Sequence, residues 1–431
     1  PQQTAGEPDS PRIAMTDAER AEALEFGRQP DLIDHILSDY TDCGIVGEEN
    51  NKLLCYLAAA SRKMAEPISV LILSSSGAGK TALQDTTLRL CPPEDIIQLT
   101  SLTGKSLFYK GRHSLKHRVL AIEEHTGAED AGYAIRCLIS SGELTVESTV
   151  KDLSTGKLTT TANRVEGPTA VFITTTDPDL NPETRSRFLV LSVDESREQT
   201  RAILEHQRRQ QTVDGLMSAS NVATILTRHW NFQRLLKPLA VVNPFADKLA
   251  FTDDRLQSRR DQPKCLNLVK AVAFLRQFQK PVKLAHGVAF VEADEKDVDL
   301  ADRLLRHITG GNLEELNVVS RNLLTLIERM VERQSCAGFT RRQIREFTGW
   351  AHSRVERYLE QLIDMEYVLV DKGRNGVKYV YRMASQLVEP SHLPGTFSSP
   401  SRSSDKMQHA DPERVIEHVP GRTVPDVGVT K

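Results

Sequence analysis

Short apolar runs and longer segments of helical periodicity alternate along most of the chain. Four short, continuous apolar runs have the length of strands that are buried on both faces of a sheet. They span residues 70–73, 119–122, 170–173 and 188–191. Helical periodicity covers residues 31–65, with a break at 41–44, and resumes from Glu195 to about residue 330, with a break at 241–244. Buried strands that alternate with helical segments predict an α/β fold with a parallel sheet.

A loop of small residues follows the first of these runs and ends in Gly79-Lys80-Thr81. Free N–H groups at the start of the next helix favour an anionic phosphate. Lys80 can reach the β- and γ-phosphates of a nucleotide, and the Thr81 hydroxyl can ligate Mg²⁺. The predicted nucleotide site comprises Ser76, Gly77, Ala78, Gly79, Lys80, Thr81 and Ala82. Ser74 stands where such loops usually have glycine, which predicts a slightly altered start of the loop. The alternative is a glycine-rich turn before an ordinary helix.

The second apolar run ends in two acidic residues, Glu123 and Glu124. An open α/β sheet places its functional site at the carboxyl ends of its strands. We therefore assign Glu123 to Mg²⁺ through its water shell and Glu124 to polarising the attacking water. Asp is more usual than Glu at the first position, but the longer carboxylate can still act through water. A chance acidic strand end is the alternative.

Polar residues also follow the third run and precede the fourth. Thr176 lies after the third run, where a hydroxyl can sense the γ-phosphate. Arg187 precedes the fourth run, where a guanidinium can reach the nucleotide of a neighbouring subunit and offset charge in the transition state. Arg185 is the rival for this role, and either residue could be an ordinary surface arginine.

The segment between the second and third runs predicts a β-hairpin. Residues 144–151 alternate apolar or β-branched with polar side chains, and residues 157–162 are rich in threonine. Residues 152–156 between them have turn chemistry. Two such runs around a turn are typical of paired antiparallel strands.

The order of these motifs resembles that of the hairpin-bearing AAA+ ATPases, including the minichromosome-maintenance helicases. It is still more similar to the C-terminal ATPase half of bacterial and mobile-element DNA primase-helicases, in which a zinc finger and a Toprim primase domain precede this module. The resemblance covers about residues 20–385. It is carried by SSSGAGKTALQ, SLTGKSLFYKG, LKHRVLAIEE, SGELTVESTVKD, TGKLTT and SVDESREQTRAI.

This resemblance implies an ATP-driven motor on DNA, with ATP and Mg²⁺ as cofactors and usually a ring of subunits, for which we expect a hexamer. It implies hairpins that face a central channel, so that Lys157 near the turn and Lys151 touch the DNA backbone. A hairpin that only packs against a neighbouring subunit is the alternative. The basic and aromatic run at residues 105–118 either lines the channel or forms a solvated face.

The resemblance also suggests an arginine that senses nucleotide from the helical lid. Arg260 is our candidate because it lies at a predicted helix start, but the adjacent Arg259 and a plain surface role remain alternatives.

The last folded segment predicts a winged helix. Thr340 is placed to cap a helix through Phe347, and Ser353 to cap a second helix over residues 354–365. A β-ribbon over residues 367–370 and 377–381 follows, with an Asn-Gly turn signal. The residues expected to contact DNA are Arg354, Arg357, Lys372 and Arg374. Binding of a protein or regulation of the ring itself is the alternative.

Composition limits the range of functions. Lys and Arg number 55 against 58 Asp and Glu, a net charge of −3, so DNA contacts must come from local patches. The six cysteines show no paired spacing, which predicts neither a zinc finger nor a disulfide framework and fits a reducing cytoplasm. No stretch is apolar enough to span a membrane, so we expect a cytoplasmic protein without a membrane partner.

We therefore expect an AAA+ P-loop NTPase core with a parallel sheet, a helical lid, a hairpin before the sensor strand and a C-terminal winged helix. The expected segments are disordered residues 1–18, N-terminal helices 19–65, core 66–200, lid and linker 201–330, winged helix 331–384 and a disordered tail 385–431. The expected function is a DNA helicase or translocase, with a primase domain fused to it or separate.

Two other functions remain open, namely an AAA+ switch that remodels proteins and a nucleotide-gated scaffold that is not an enzyme. The chain begins at Pro1 without Met, which is expected of a piece of a longer protein, while a native start at Met15 is the competing explanation.

Overall fold

Five parallel strands form the central sheet. The computed structural model describes residues 14–100, 102, 105–123, 129–151, 158–177, 180–249, 258–310, 318–334, 338–364, 367–372 and 379–383. The first seven strands are β1 (Val70–Leu73), β2 (Ile96–Leu99), β3 (Arg118–Glu123), β4 (Glu143–Lys151), β5 (Leu158–Glu166), β6 (Thr169–Thr175) and β7 (Leu189–Leu191). Five of them pair in the order β2-β3-β6-β1-β7, all parallel. Each predicted apolar run forms a strand of this sheet, so the α/β prediction is confirmed.

Helices cover both faces of the sheet. The helices up to residue 310 are α1 (Asp17–Arg28), α2 (Leu32–Asp42), α3 (Glu49–Ala60), α4 (Lys80–Arg89), α5 (Glu129–Ser141), α6 (Pro182–Arg185), α7 (Arg197–Gln210), α8 (Val213–Leu235), α9 (Ser258–Leu275) and α10 (Glu295–Gly310). Short 3₁₀ turns occupy Ser61–Lys63, Pro93–Asp95, Ser106–Tyr109, Ala246–Lys248 and Gln277–Gln279.

Alternate residues of the central strands pack on opposite faces of the sheet. Val70 and Ala121 belong to a hydrophobic cluster that includes residues of α3, α4 and α9. Leu71 and Leu120 belong to a second cluster, which includes residues of α5. Burial on both faces explains why these strands appear in the sequence as continuous apolar runs rather than as alternating patterns.

Helix α1 begins two residues before the predicted start of the N-terminal helices at residue 19. The Thr16 hydroxyl accepts the backbone N–H of Glu19 at 3.2 Å, and the Glu19 carboxylate accepts the backbone N–H of Thr16 at 2.8 Å. This reciprocal capping satisfies N–H groups that would otherwise lack partners at the helix start.

Strands β4 and β5 form a separate antiparallel pair of nine matched positions, from Glu143 opposite Glu166 to Lys151 opposite Leu158. Leu144 and Val165 at its base are buried in the same cluster as α5. The connection over residues 152–157, including Lys157, lies outside the described residues.

A buried ionic network joins α2 and α3 to α8. Asp39 accepts from the Arg228 guanidinium at 2.7 Å and from Nε2 of His229 at 2.8 Å. The Tyr56 hydroxyl lies 2.7 Å from Nδ1 of the same ring. Burial lowers the pKa of His229, so the neutral ring donates from Nε2 and accepts at Nδ1. Burial alone would raise the pKa of Asp39, but hydrogen bonds from His229 and Arg228 leave that pKa below its ordinary value.

We expect Asp39→Ala to lower the free energy of unfolding by about 3 kcal/mol, because Arg228 and His229 lose a shared buried acceptor. Asp42→Ala, at an exposed position of the same helix, should change it by less than about 0.5 kcal/mol. Since the folded pKa of Asp39 is depressed, its contribution is complete above about pH 4 and is lost as the pH falls through that folded pKa. Urea unfolding measures both variants, and equal midpoints would contradict a stabilising network.

The segment predicted as a helical lid also contains a small sheet. Strands β8 (Ala240–Val242), β9 (Lys283–Ala285) and β10 (Val288–Glu292) pair in the order β8-β10-β9. The prediction of a helical pattern was therefore wrong at β9 and β10, while β8 lies at the predicted break. Strands of three to five residues are too short for a period of two to stand out. The missed signal was the dipeptide His286-Gly287, which joins β9 to β10. Both residues have positive φ angles, of 50° and 80°, as is typical of a tight hairpin turn.

The C-terminal elements have a hydrophobic cluster of their own. They are α11 (Val318–Gln334), α12 (Arg341–Thr348), α13 (His352–Asp364), β11 (Val368–Lys372) and β12 (Val380–Met383). Thr340 caps α12 as predicted, through a reciprocal pair with Gln343. Ser353 does not cap the next helix, because α13 begins at His352 and Ser353 lies inside it. Strands β11 and β12 pair antiparallel, and residues 373–378 between them are not described.

Free thiols are present at Cys43, Cys55, Cys91, Cys137 and Cys265. Among the described helices, none combines the length and the hydropathy that a membrane crossing requires.

Candidate active site

The loop between β1 and α4 has the backbone shape of a phosphate cradle. Gly77 and Gly79 have φ angles of 80° and 103°, a region that favours glycine. A Cβ atom added at either glycine would meet no heavy atom of another residue within 4 Å, so this side of the loop is open. The N-cap residue of α4 is Gly79, which has no side chain to cap the helix. Its first N–H groups and its dipole therefore suit an anion.

Lys80 already points back across this loop. Its Nζ donates to the carbonyl oxygens of Ser74 at 2.8 Å and Ser75 at 2.6 Å. The residue is 7% exposed. These two bonds hold the ammonium group at the loop, where it can exchange a carbonyl partner for a phosphate oxygen.

Ser74, the departure from glycine, connects the loop to the segment after β7. Its Oγ accepts the backbone N–H of Val193 at 2.8 Å. Glu195 makes a second connection, because its carboxylate accepts from the N–H of Ser75 at 2.7 Å and from the Ser75 hydroxyl at 2.9 Å. The serine at the start of the loop therefore forms a hydrogen bond that glycine could not form, and this bond attaches the loop to the residues before α7. Sequence reasoning missed Glu195.

The strand order brings the predicted nucleotide-binding and metal-binding groups to one edge. Strand β6 lies between β1 and β3, with Leu73 opposite Thr175 and Glu123 opposite Thr174. Thr176 directly follows the last residue of β6 and is exposed. Because the carboxyl ends of parallel strands meet at the same edge, the loop, Glu123 and Thr176 lie together. Glu124, the predicted catalytic base, lies outside the described residues.

Sequence reasoning missed two residues next to Glu123, of which Gln98 contacts Glu123 and Asp85 contacts Gln98. Gln98 Nε2 donates to Glu123 Oε1 at 2.7 Å and lies 3.3 Å from Oδ1 of Asp85. Asp85 is on α4, one turn after Thr81. Burial and the nearby charge of Glu123 raise the pKa of Asp85. The available signals were a polar residue within the β2 run IIQL and the four-residue spacing from Thr81 to Asp85, which puts both on one helix face.

The donor set suits Mg²⁺ shared with a nucleotide. Within the described ranges, no three His, Cys, Asp or Glu side chains come together as a metal site. Mg²⁺ usually takes one or two protein oxygens and completes its shell with waters and substrate phosphates. The exposed Thr81 hydroxyl and the half-buried Glu123 carboxylate fit that arrangement.

Arg187 belongs to a polar cluster around α6. Its guanidinium donates to Ser140 Oγ at 2.7 Å, to the Glu183 carbonyl at 2.6 Å and to the Glu183 carboxylate at 3.2 Å. Arg136 approaches the same carboxylate at 3.6 Å. The side chain of Arg187 is therefore held by contacts within the chain, with a quarter of its surface exposed. The rival Arg185 is the last residue of α6 and is half-buried.

A family model described as the MTBMA_p00010 P-loop domain matches residues 16–236, slightly more than half of the chain. The chain belongs to this P-loop family. Membership indicates a nucleotide-hydrolysing domain, and P-loop domains generally bind their nucleotide with Mg²⁺. The matched region of the P-loop family extends from α1 to the end of α8, so it includes the N-terminal helices as well as the sheet. No curated protein matches the chain.

Several predicted contact residues lie beyond the region that the P-loop family model matches. Arg354 is exposed on α13 with its guanidinium 4.2 Å from the centre of the Trp350 ring, and Arg357 is exposed one turn further. Only the backbone is described at Lys372, where β11 ends, and at Arg260, in the first turn of α9. Arg374 lies outside the described residues.

Proposed function

We propose that the protein is an ATP-driven DNA translocase or helicase, the motor part of a primase-helicase. The observation that carries the enzymatic half is the meeting of the phosphate loop, Glu123 and Thr176 at one edge of the sheet. The DNA half is supported by the antiparallel β4–β5 pair, which the chain inserts directly before β6. The resemblance to primase-helicases agrees with both.

In this proposal each group at the sheet edge has one task. Lys80 and the loop N–H groups hold the phosphates, Thr81 and Glu123 hold the metal with its waters, and Glu124 orients the attacking water. Mg²⁺, when bound, offsets the negative charge that develops on the phosphate oxygens. Thr176 reports on the γ-phosphate, and Arg260 in α9 is the candidate sensor from the lid.

Side-chain contacts attach the base of the β4–β5 pair to the rest of the domain. Arg164 on β5 pairs with Glu143 on β4, and Glu166 accepts from Arg112 at 2.7 Å. The Asn163 side-chain amide donates to the Phe108 carbonyl. Nine residues at about 3.3 Å each give the pair a reach of about 30 Å from this base. A hairpin anchored in this way would carry Lys151 and Lys157 towards DNA.

Lys157→Ala tests the hairpin as a DNA contact. We expect weaker DNA binding and less stimulation of ATP hydrolysis by DNA, because one phosphate contact is lost in each engaged subunit. The slope of log affinity against log salt should fall by about one unit for each lost contact. Lys296→Ala, exposed on α10, is the matched control. Normal DNA binding and unwinding by Lys157→Ala at several salt concentrations would exclude Lys157 as a track contact.

Protein remodelling is a second candidate function, favoured by exposed apolar side chains at the junction of α7 and α8. Leu204, Val213, Leu216 and Met217 are between 52% and 76% exposed. Apolar side chains clustered on a surface are typical of protein interaction sites. ATP hydrolysis that DNA does not stimulate would favour this function over the motor, and no hydrolysis at all would favour a nucleotide-gated scaffold.

Assembly into a ring, with a hexamer as the expected form, is also part of the proposal. It rests on the resemblance to primase-helicases, and in such a ring Arg187 would act on the nucleotide of a neighbouring subunit. We also propose additional DNA contacts from the C-terminal elements, with a protein partner as the alternative. The residues concerned are Arg354, Arg357, Lys372 and Arg374.

A further inference from the structure

Glu123 has an amide partner whose position suggests a specific task. We propose that Gln98 is a positioning residue that holds the Glu123 carboxylate for the metal–nucleotide complex, with Asp85 fixing the amide from the other side. This inference rests on the proposed nucleotide-hydrolysing function and concerns the same site.

The placement follows from strand register. Gln98 pairs with Ala121 in adjacent parallel strands, and Glu123 lies two residues beyond Ala121 on β3. Residues two apart on a strand share a face, so Gln98 and Glu123 project from the same face of the sheet. Ala121 packs in the cluster that includes α4 residues, so this is the face that α4 covers. Asp85 approaches from that helix.

The chemistry fixes which way the amide points. Ionised Asp85 and Glu123 can only accept hydrogen bonds, and the two hydrogens of the Gln98 NH₂ group can serve both. The opposite orientation would direct a carbonyl oxygen at two carboxylates. The distances of 2.7 Å to Glu123 and 3.3 Å to Asp85 make Glu123 the stronger partner.

The arrangement also accounts for Glu at a position where Asp is more usual. A glutamate side chain has one more rotatable bond than that of an aspartate. It therefore loses more conformational entropy when it is fixed to the water shell of a metal ion. A hydrogen bond from Gln98 removes much of that freedom before the metal arrives. Partners that orient a ligand in this way commonly affect metal affinity by about 10- to 100-fold.

Binding of Mn²⁺ together with a non-hydrolysable ATP analogue tests the inference without using turnover. Electron paramagnetic resonance of the full chain gives the Mn²⁺ concentration at half-saturation. We expect Gln98→Ala and Gln98→Met to raise that concentration about 10-fold, while analogue binding in the presence of a chelator changes less than about 2-fold. Met has nearly the length of Gln but no N–H, so it preserves packing. Gln207→Ala, at an exposed position of α7, should behave as wild type.

A double-mutant cycle distinguishes positioning from a general structural role. If Gln98 acts through Glu123, Gln98→Ala should add nothing in a Glu123→Ala background. Wild-type half-saturation in Gln98→Ala and Gln98→Met would overturn the inference, as would an undiminished effect of Gln98→Ala in the Glu123→Ala protein. Failure of the wild type to retain Mn²⁺ with the analogue would instead overturn the proposed nucleotide site, and this inference with it.

Discussion

Lys80→Ala is expected to reduce ATP turnover by about 10³-fold, because it removes a preorganised charge from the phosphates that react. The fold should survive, since Ser75 is exposed and Ser74 half-buried, so water can replace the ammonium partner of their carbonyl groups. Steady-state hydrolysis measures the loss, and circular dichroism checks the fold.

Lys296→Ala is the control for a lost surface lysine, because that residue is exposed on α10 and far along the chain from the loop. Its turnover should equal that of the wild type. If Lys80→Ala hydrolysed ATP at the wild-type rate, the assignment of this loop as the phosphate-binding loop would be wrong.

Arg187→Ala is expected to reduce turnover by roughly 10³-fold or more, the range found for arginines that act on a neighbouring nucleotide. Mixing Arg187→Ala with Lys80→Ala subunits should then restore part of the activity. At some mixed interfaces the intact loop of one subunit meets the intact arginine of the other. ATP turnover of the mixture, compared with each variant alone, is the measurement.

The matched control replaces the Lys80→Ala subunit by one that carries both Lys80→Ala and Arg187→Ala, which supplies no intact arginine and should restore nothing. Equal activities of the two mixtures, with co-assembly shown by a tag on one subunit, would exclude action of Arg187 across an interface. The bonds of Arg187 to Ser140 and Glu183 would then describe its whole role.

The parts of the site that could be predicted are those written in consecutive residues. A strand, a glycine loop and a Lys-Thr pair are local, and so is the acidic end of β3. Their sequence order also indicated the parallel sheet, since parallel neighbours need a long crossover connection, usually a helix, and helical segments lie between most of the apolar runs. The capping of α12 by Thr340 was readable for the same reason.

The parts that could not be predicted depend on residues that meet only after folding. Gln98 and Glu123 are 25 residues apart, and Ser75 and Glu195 are 120 apart. Asp39 and His229 are separated by 190 residues and have no motif of their own. Gln98 is an exposed position of β2, so its place in the sequence does not show that its amide meets Glu123 rather than water. The short strands β8, β9 and β10 escaped because three to five residues carry little periodicity.

The phosphate loop is hydrogen-bonded to the residues that lead into α7. Ser74 contacts Val193, and Ser75 contacts Glu195. Only Ser196, which itself caps α7, separates Glu195 from the first helical residue. On the other side the same segment is pinned to the start of α3, where the Glu48 carboxylate accepts the N–H of Asp194 at 2.7 Å. A change in loop shape on nucleotide binding would therefore act directly on the start of α7, because these hydrogen bonds join the two.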